Sequence, residues 1–321
     1  MSRSTIVIPN YNGEKFLTAC LQSVFDDDPD TSVIVVDNAS ADESLSLIAA
    51  FPQVRVICFA RNMGFSAAVN AGILAAETEF VILLNNDTTV KPGFVKALEE
   101  AMDRHPKAFS VGAQMLAMQD ESILDNAGDF YCALGWAYGY GKGKKVTARY
   151  LGEYPVFSAC AGAAAYRRAV FDRIGLFDEA HFAYLEDLDI GYRAKIYGYE
   201  NYYTSGAVVL HAGSATSGSK YNEFKINLSS QNSIYVIGKN MPFLQWLLNL
   251  PFFIIGFGVK AAFFCMKGYG RVYIRGLGKG LNMSCSDKGR QHHVKVTAGH
   301  LRHYVRIQGA LWVNILRRFL A

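Results

Sequence analysis

Three acids stand within four residues in "YLEDLDIGYR": Glu186, Asp187 and Asp189. Acids at a helix start favour its dipole, but three exceed what capping requires. A carboxylate held in a crevice can instead take a proton from a reacting hydroxyl. A second polar group follows an apolar run, where "FVILLNNDTT" passes from five apolar residues into Asn85, Asn86 and Asp87. Polar groups at the end of a buried strand are costly unless something pairs with them. A turn accounts for that stretch taken alone, since Asn, Asp and Thr are turn formers. Earlier apolar runs end in the same manner, at Tyr11, at Asp37, and at Arg61 with Asn62. Four successive strands with polar ends make a convergent crevice, which suits a nucleotide. A later run, "NYYTSGAVVLH", ends at His211.

The elements that would position these groups alternate over the first hundred residues. "STIVIP", "SVIVVD", "VRVICF" and "EFVILLN" read as strands. Between and after them lie four helical segments: Glu14 to about Phe25, "SADESLSLIAAF", "FSAAVNAGILAAE" and "PGFVKALEEAMDRH". Ser40 with Glu43 three residues on predicts a capping box, and Pro92 suits a helix start. Near-continuous apolar strands imply burial on both faces, hence a parallel sheet between helices. From Phe109 to about Val156 the pattern loosens, and "GWAYGYGKGKK" reads as a mobile loop or hairpin. Helical periodicity returns in "RRAVFDRIG" and "EDLDIGYRAKIYG". A dinucleotide-binding unit is excluded at its first turn, because "PNYNGEKF" has one glycine where G-x-G-x-x-G is needed. There is no Walker A sequence.

"IVIPNYNGEKFLTACLQSV", "VIVVDNASADES", "RNMGFSAAVNAGI", "VILLNNDTTV" and "YLEDLDIGYR" together resemble the inverting glycosyltransferases of family two, with the GT-A fold. The resemblance covers roughly residues 4–238 and is nearest the rhamnosyltransferase-like subgroup that builds bacterial surface polysaccharides. It implies that Pro9 and Tyr11 line the pocket for the base and that Asp37 accepts a hydrogen bond from the ring imide. Arg61 would lie near base or diphosphate, with Asn62 and Gly64 shaping its loop. Asp87 matches the last acid of the family's D-x-D element, which holds a divalent metal on the donor diphosphate, and Asn86 beside it would contact the donor. Asn85 stands where the first acid would be. His211 matches a further metal ligand of some members. Few protein ligands plus diphosphate oxygens suit Mg2+ or Mn2+, and an imidazole favours Mn2+ somewhat. The resemblance also makes Asp187 the base and Glu186 the group that orients it or the acceptor. Asp189 would stand behind them, Arg193 would face the diphosphate, and Gly162 and Ala163 in "CAGAAAYRR" would lie beneath the donor sugar.

Charge divides the chain. Residues 239–321 hold thirteen Lys/Arg and one acid, Asp287, whereas the preceding 238 are net acidic. An acidic body argues against nucleic acid, and a basic tail points to membrane phosphates. "FLQWLLNLPFFIIGFGVKAAFFCM", residues 243–266, is long enough to span a bilayer. Its Gln245, Asn249, Pro251 and Lys260 favour a helix lying in the interface over a span. In "HLRHYVRIQGALWVNILRRFL" the apolar residues Leu301, Tyr304, Val305, Trp312, Ile315, Leu316 and Phe319 fall at helical spacing beside four arginines. That is a membrane-surface or partner-docking element, or a helix that packs on the catalytic domain or on a second subunit in a homo-oligomer. The six cysteines show no metal or redox spacing and read as reduced thiols, five or six of them packed. "MSRSTIVIPN" enters a strand directly, so the expected location is cytoplasmic, peripheral at the inner face of the cytoplasmic membrane.

The expected architecture is a GT-A α/β domain over residues 1–238 and a basic helical tail over 239–321. The expected reaction is transfer from a dTDP- or UDP-linked sugar to a glycan or polyprenyl-linked acceptor. A nucleotidyltransferase would want a lysine-rich glycine loop after strand one, which is missing. A non-catalytic sugar-nucleotide-binding subunit would have no need of Asp87, Glu186 and Asp187 together.

Overall fold

The computed structural model describes residues 3–213 and 221–320. The first half alternates through β1 (Ser4–Asn10), α1 (Glu14–Asp27), β2 (Ser32–Asp37), α2 (Ser44–Ile48), β3 (Val54–Cys58) and α3 (Phe65–Ala75). It continues with β4 (Phe80–Leu84), β5 (Thr88–Val90), α4 (Phe94–Arg104), β6 (Ala108–Ala117), β7 (Asp120–Asn126), β8 (Asp129–Cys132) and β9 (Trp136–Gly139). Next come β10 (Glu153–Val156), β11 (Ala163–Arg167), α5 (Arg168–Ile174), α6 (Glu186–Ile196) and β12 (Glu200–His211). The remainder is helical: α7 (Glu223–Asn240), α8 (Phe243–Met266), α9 (Gly270–Cys285), α10 (Asp287–Gln291) and α11 (Leu301–Leu320).

The main sheet runs β10-β12-β6-β11-β4-β1-β2-β3. β3, β2, β1 and β4 are mutually parallel, β11 is antiparallel to both β4 and β6, and β12 is parallel to β6. The apolar strands divide between two helical layers by the period of two. Ile6, Ile8, Ile82 and Leu84 pack with Leu17, Val24 and Leu98 of α1 and α4. Val7, Val81 and Leu83 pack with Val69 and Ile73 of α3 and Phe171 of α5. Each such side chain, removed from water, contributes about 1.5–3 kcal/mol. Between β1 and β4 the strand order reverses, and there the carboxyl ends of an α/β sheet open a crevice.

A third core joins the two parts of the chain that charge sets apart. Tyr131, Phe157, Leu188 and Tyr192 pack with Val236, Phe253, Tyr304, Ile307 and Leu311. The division expected at residue 238 falls inside α7, whose last residues, Lys239 and Asn240, are buried. α11 turns a different face inward from the one its apolar residues suggest. Val305, Leu316 and Phe319 are exposed, while Gln308 and Asn314 are buried. These amides have partners, since Asn314 Nδ2 donates to the Tyr131 carbonyl at 2.8 Å and Gln308 exchanges hydrogen bonds with Asn249.

Two smaller expectations are corrected. No capping box forms, because α2 starts at Ser44 and Ser40 Oγ instead accepts from Asn12 N and Asn10 Nδ2. All six cysteines are free, yet Cys58, Cys265 and Cys285 are exposed and do not pack. The glycine-rich stretch begins as a hairpin, with β8 paired to β9 from Asp129↔Gly139 to Cys132↔Trp136.

Candidate active site

Asn10 ties three strand ends together. Its Nδ2 donates to Asp37 Oδ1 at 2.9 Å and to Ser40 Oγ at 3.1 Å, and its Oδ1 accepts from Asn86 Nδ2 at 2.7 Å. Asp37 is buried, with Oδ2 accepting from Ser40 N at 3.0 Å. Each of its oxygens keeps a further lone pair for a base N–H. A β-carbon at Gly13 would collide with the amides of Asn10 and Asn86, so the one glycine of "PNYNGEKF" is there for close approach. Tyr11 is exposed at the rim and Pro9 half-buried beside it. Asn86, expected on the donor, turns its amide to Asn10 and locks β4 to β1. Nothing in the sequence marks Asn10 itself, because its three partners come together only when β1, β2 and β4 pair.

The next loop is built on Asn38. Its Nδ2 donates to Asn62 Oδ1 (3.0 Å) and the Gly64 carbonyl (3.1 Å), and its Oδ1 accepts from Met63 N (2.7 Å). Asn62 and Gly64 thus shape the turn, as expected, and Arg61 projects from it at the surface. Gly64 has φ +88°, and a β-carbon there would strike Phe182.

At the other side of β4, Asp87 Oδ1 lies 3.2 Å from His211 Nε2. β12 delivers the histidine by antiparallel pairing with β5, His211 opposite Thr88. His211 Nδ1 faces Asp125 Oδ2 at 2.8 Å, and Lys142 Nζ bonds Asp125 Oδ1 at 2.7 Å. Burial works to lower the imidazole's pKa, but the two carboxylates outweigh it and push it up to about 9. Asp125 is held down at about 2, because His211 and Lys142 outweigh its burial. Asp87 Oδ1 and His211 Nε2 face each other while Asp125 anchors Nδ1; a divalent cation would displace the imidazole's proton and take that nitrogen and the Asp87 carboxylate as its protein ligands. The residues fit the expected metal. Asp125 was not legible beforehand, since only the fold brings β7 to the end of β12.

The acids of α6 come from a loop in unusual backbone geometry. Phe182, Tyr184 and Leu185 have φ of +59°, +69° and +68°, a region non-glycine residues rarely adopt. Asn232 of α7 holds this loop, its Nδ2 lying 2.9, 2.9 and 2.8 Å from the carbonyls of His181, Ala183 and Tyr184. From the donor side, Phe65 N donates to the Phe182 carbonyl at 2.7 Å. Asp187 is half-buried and accepts from the N–H groups of Leu188 and Ala161. Glu186 is buried, and its Oε2 has no hydrogen-bond partner. The structure adds two neighbours that the sequence did not: reactive atoms of Asp129, Cys160 and Asp187 all lie within 4.8 Å of one another. Burial raises the pKa of all three carboxyls, and Asp187's charge further raises Asp129 and Glu186. Burial also drives the Cys160 thiol well up, so it stays protonated and a poor ligand for a hard cation.

Two expected donor contacts are not met. Arg193 is buried, with Nε on Asp189 Oδ2 at 3.0 Å and its other nitrogens on the carbonyls of Ile174, Gly175 and Leu176. Six residues beyond Asp187 it lies on another face of the helix, one turn after Asp189. Ala163 is wholly buried in the core under α1 and cannot touch a donor. Gly162 stays at the crevice, where a β-carbon would crowd the Asn85 amide at 3.1 Å. Asp189 stands behind the site as expected, taking Lys239 Nζ at 2.8 Å and Asn240 Nδ2 at 2.7 Å.

A family model described as "Glycosyl transferase family 2" matches residues 5–175. An N-acetylglucosaminyl-diphospho-decaprenol L-rhamnosyltransferase of Mycobacterium tuberculosis is 28% identical over 214 residues, covering 58% of this chain and 68% of that relative. The structure is similar to TarS 1-349 of S. aureus in complex with UDP-GlcNAc (TM-score 0.59, 17% identity, 95% of this chain, 87% of the other). It is also similar to the mannosyltransferase PcManGT from Pyrobaculum calidifontis in complex with GDP-Man and Mn2+ (TM-score 0.54, 16% identity, 89% and 88%). At these identities the two structures share a fold with this chain.

Proposed function

This chain belongs to glycosyl transferase family 2, and from that premise we propose an inverting, metal-dependent transfer of a sugar to a hydroxyl of a lipid-linked or polysaccharide acceptor. The chain is a glycosyltransferase with a nucleotide-sugar donor; rhamnose and a polyprenyl diphosphate carrier are the finer reading, which the mycobacterial relative's name supports. The observation that carries the proposal is the Asp87–His211–Asp125 cluster, with Asp129 between Asp125 and the half-buried carboxylate Asp187.

In this reading Tyr11, Pro9 and Asp37 hold the nucleotide's base, and Asp87 and His211 hold the cation. A bound Mn2+ or Mg2+ offsets the negative charge of the departing nucleoside diphosphate. Asp187 takes the proton of the acceptor hydroxyl while that oxygen forms its bond to the anomeric carbon. The bond from that carbon to the diphosphate oxygen breaks, and its electron pair leaves with the diphosphate. A single displacement on the opposite face inverts the anomeric centre.

The acceptor class agrees with the outer surface of the tail. α8 has the length and composition to cross a bilayer, but its polar stripe is used inside the protein: Tyr192 donates to Gln245 and Asn249 pairs with Gln308. Leu244, Ile254, Ile255 and Val259 face outward. Val305, Leu316 and Phe319 of α11 do likewise, with Arg302, Arg306 and Arg318 exposed on the same helix. An apolar surface rimmed by cations suits an anionic interface, which supports a site working at the inner face of the cytoplasmic membrane.

The test is a thermal-shift screen of dTDP- and UDP-sugars with Mn2+, followed by release of nucleoside diphosphate in the presence of a polyprenyl-linked acceptor. A ligand at 100 times its dissociation constant adds about 2.7 kcal/mol. The expected result is metal-dependent stabilisation that Asp87→Asn abolishes. Full turnover in excess chelator overturns the metal's role, and donor binding without turnover makes the chain a binding subunit.

A further inference from the structure

The segment from the end of β7 to the start of β8 touches both ends of the site. At the end of β7, Asp125 orients His211. The next residue, Asn126, donates its Nδ2 to Asp129 Oδ1 at 2.7 Å, and Asp129 faces Asp187. The groups around the Asp129 carboxyl come from every neighbouring element. Asp187 and Glu186 approach from α6, Cys160 from the loop before β11, Tyr166 from β11, Asp125 from β7, and Lys142 from the turn after β9. Lys142, the cation in this group, bonds Asp125 rather than Asp129.

Two carboxyls this close, with no cation among the described residues bonded to either, do not both ionise at neutral pH. A second observation agrees, because Glu186 next to them is 7% exposed with Oε2 unpartnered. A third charge in the same space would be worse still. Asp187 accepts two backbone N–H groups, which favour its ionised form, whereas Asp129 has one amide. The proton therefore belongs on Asp129.

We propose that Asp129 is a positioning residue for proton transfer: of the two carboxyls it keeps the single proton they hold between them in the free enzyme and, as the protonated neighbour, steers the ionised Asp187 toward the acceptor hydroxyl. This inference rests on the transfer reaction proposed above for its kinetic consequence. Its protonation claim stands without it. Raising the pH strips the shared proton and leaves two facing anions, so activity falls on the alkaline side.

Two measurements test this. Carboxyl-stretch infrared difference spectra of the full chain should show a protonated carboxylic acid near neutral pH that titrates above the ordinary carboxylate range. With Glu186→Gln as the background, which removes the other carboxyl that burial keeps protonated, Asp129→Asn should lose that band, and a band unchanged there overturns the proposal whether or not any sugar is transferred. In the pH profile of kcat/KM, Asp129→Asn keeps a hydrogen-bond donor and should lose the alkaline limb while retaining the acid limb set by Asp187. Asp129→Ala should lower kcat by about ten- to a hundredfold, the value of one hydrogen bond to a charged group. An alkaline limb identical in wild type and Asp129→Asn counts against the inference. Absence of turnover in every protein, with the band behaving as expected, counts against the transfer reading alone.

Discussion

Asp187 can be altered without dismantling the donor pocket, because Tyr11, Asp37 and Asp87 stand on other segments and are held by Asn10, Ser40 and His211. Asp187→Asn keeps size and hydrogen bonding but cannot take a proton. Transfer should fall by about 10²–10⁴-fold, the usual contribution of general-base catalysis, with donor affinity nearly unchanged. Glu186→Gln should be milder if Glu186 only orients, and a collapse there with near-normal Asp187→Asn would move the base one residue back. The carboxylates at 87 and 187 and the histidine at 211 were legible because their motifs are local. Asp125 and Asp129 were not, since nothing in "ILDNAGDF" marks them until β7 and β8 are folded against β12 and α6. Arg193 misled in the opposite direction. Its spacing from Asp189 is that of an internal helix pair, and the two are joined in the interior.

At the scale of elements, the loop entering α6 is the part under constraint. Three of its residues sit at positive φ, each at a cost of order 1–3 kcal/mol. Asn232 compensates by donating to three of the loop's carbonyls. Asn232→Ala should let the loop relax, displacing Asp187 while the donor pocket on β1, β2 and β4 persists. A 1 Å misplacement can cost about 10²-fold in rate, so kcat should drop by tenfold or more with donor affinity held within about threefold. If kcat is unchanged and only the denaturation midpoint falls, the clamp serves stability and not presentation of the base. The strands and most helices could be read from apolar periodicity, whereas this loop could not, because its geometry is imposed by a side chain some fifty residues later.

For the molecule as a whole, the exposed apolar faces of α8 and α11 decide where it works. The protein should sediment with anionic vesicles at low salt and be released as salt screens its arginines. Ile254→Asp combined with Ile255→Asp, on residues 67% and 58% exposed, should abolish sedimentation without loss of donor binding. Wild-type protein that stays in the supernatant with such vesicles would refute the membrane reading. The basic, apolar character of this region was plain from composition. Its inward face was not, because Gln245, Asn249, Gln308 and Asn314 read as polar and are nevertheless buried, Asn249 against Gln308, Gln245 against the Tyr192 hydroxyl and Asn314 against the Tyr131 carbonyl.

The ion network of Lys239 has a consequence for how such chains diversify. Lys239 Nζ bridges Asp178 and Asp189 at 2.7 and 2.8 Å, and the Tyr304 hydroxyl caps the neighbouring Asn240 carbonyl at 3.1 Å. The end of α7, with Tyr304 of α11 behind it, is therefore masonry for the helix bearing the proposed base, and the proposed lipid-facing helices are built onto that wall. Such a segment cannot be exchanged between relatives as an interchangeable cassette. A change of membrane preference must be made on its outer residues alone, or be accompanied by matching changes at Asp178, Asp189 and Tyr192, so the lipid-facing surface is free to vary while the wall behind it is not.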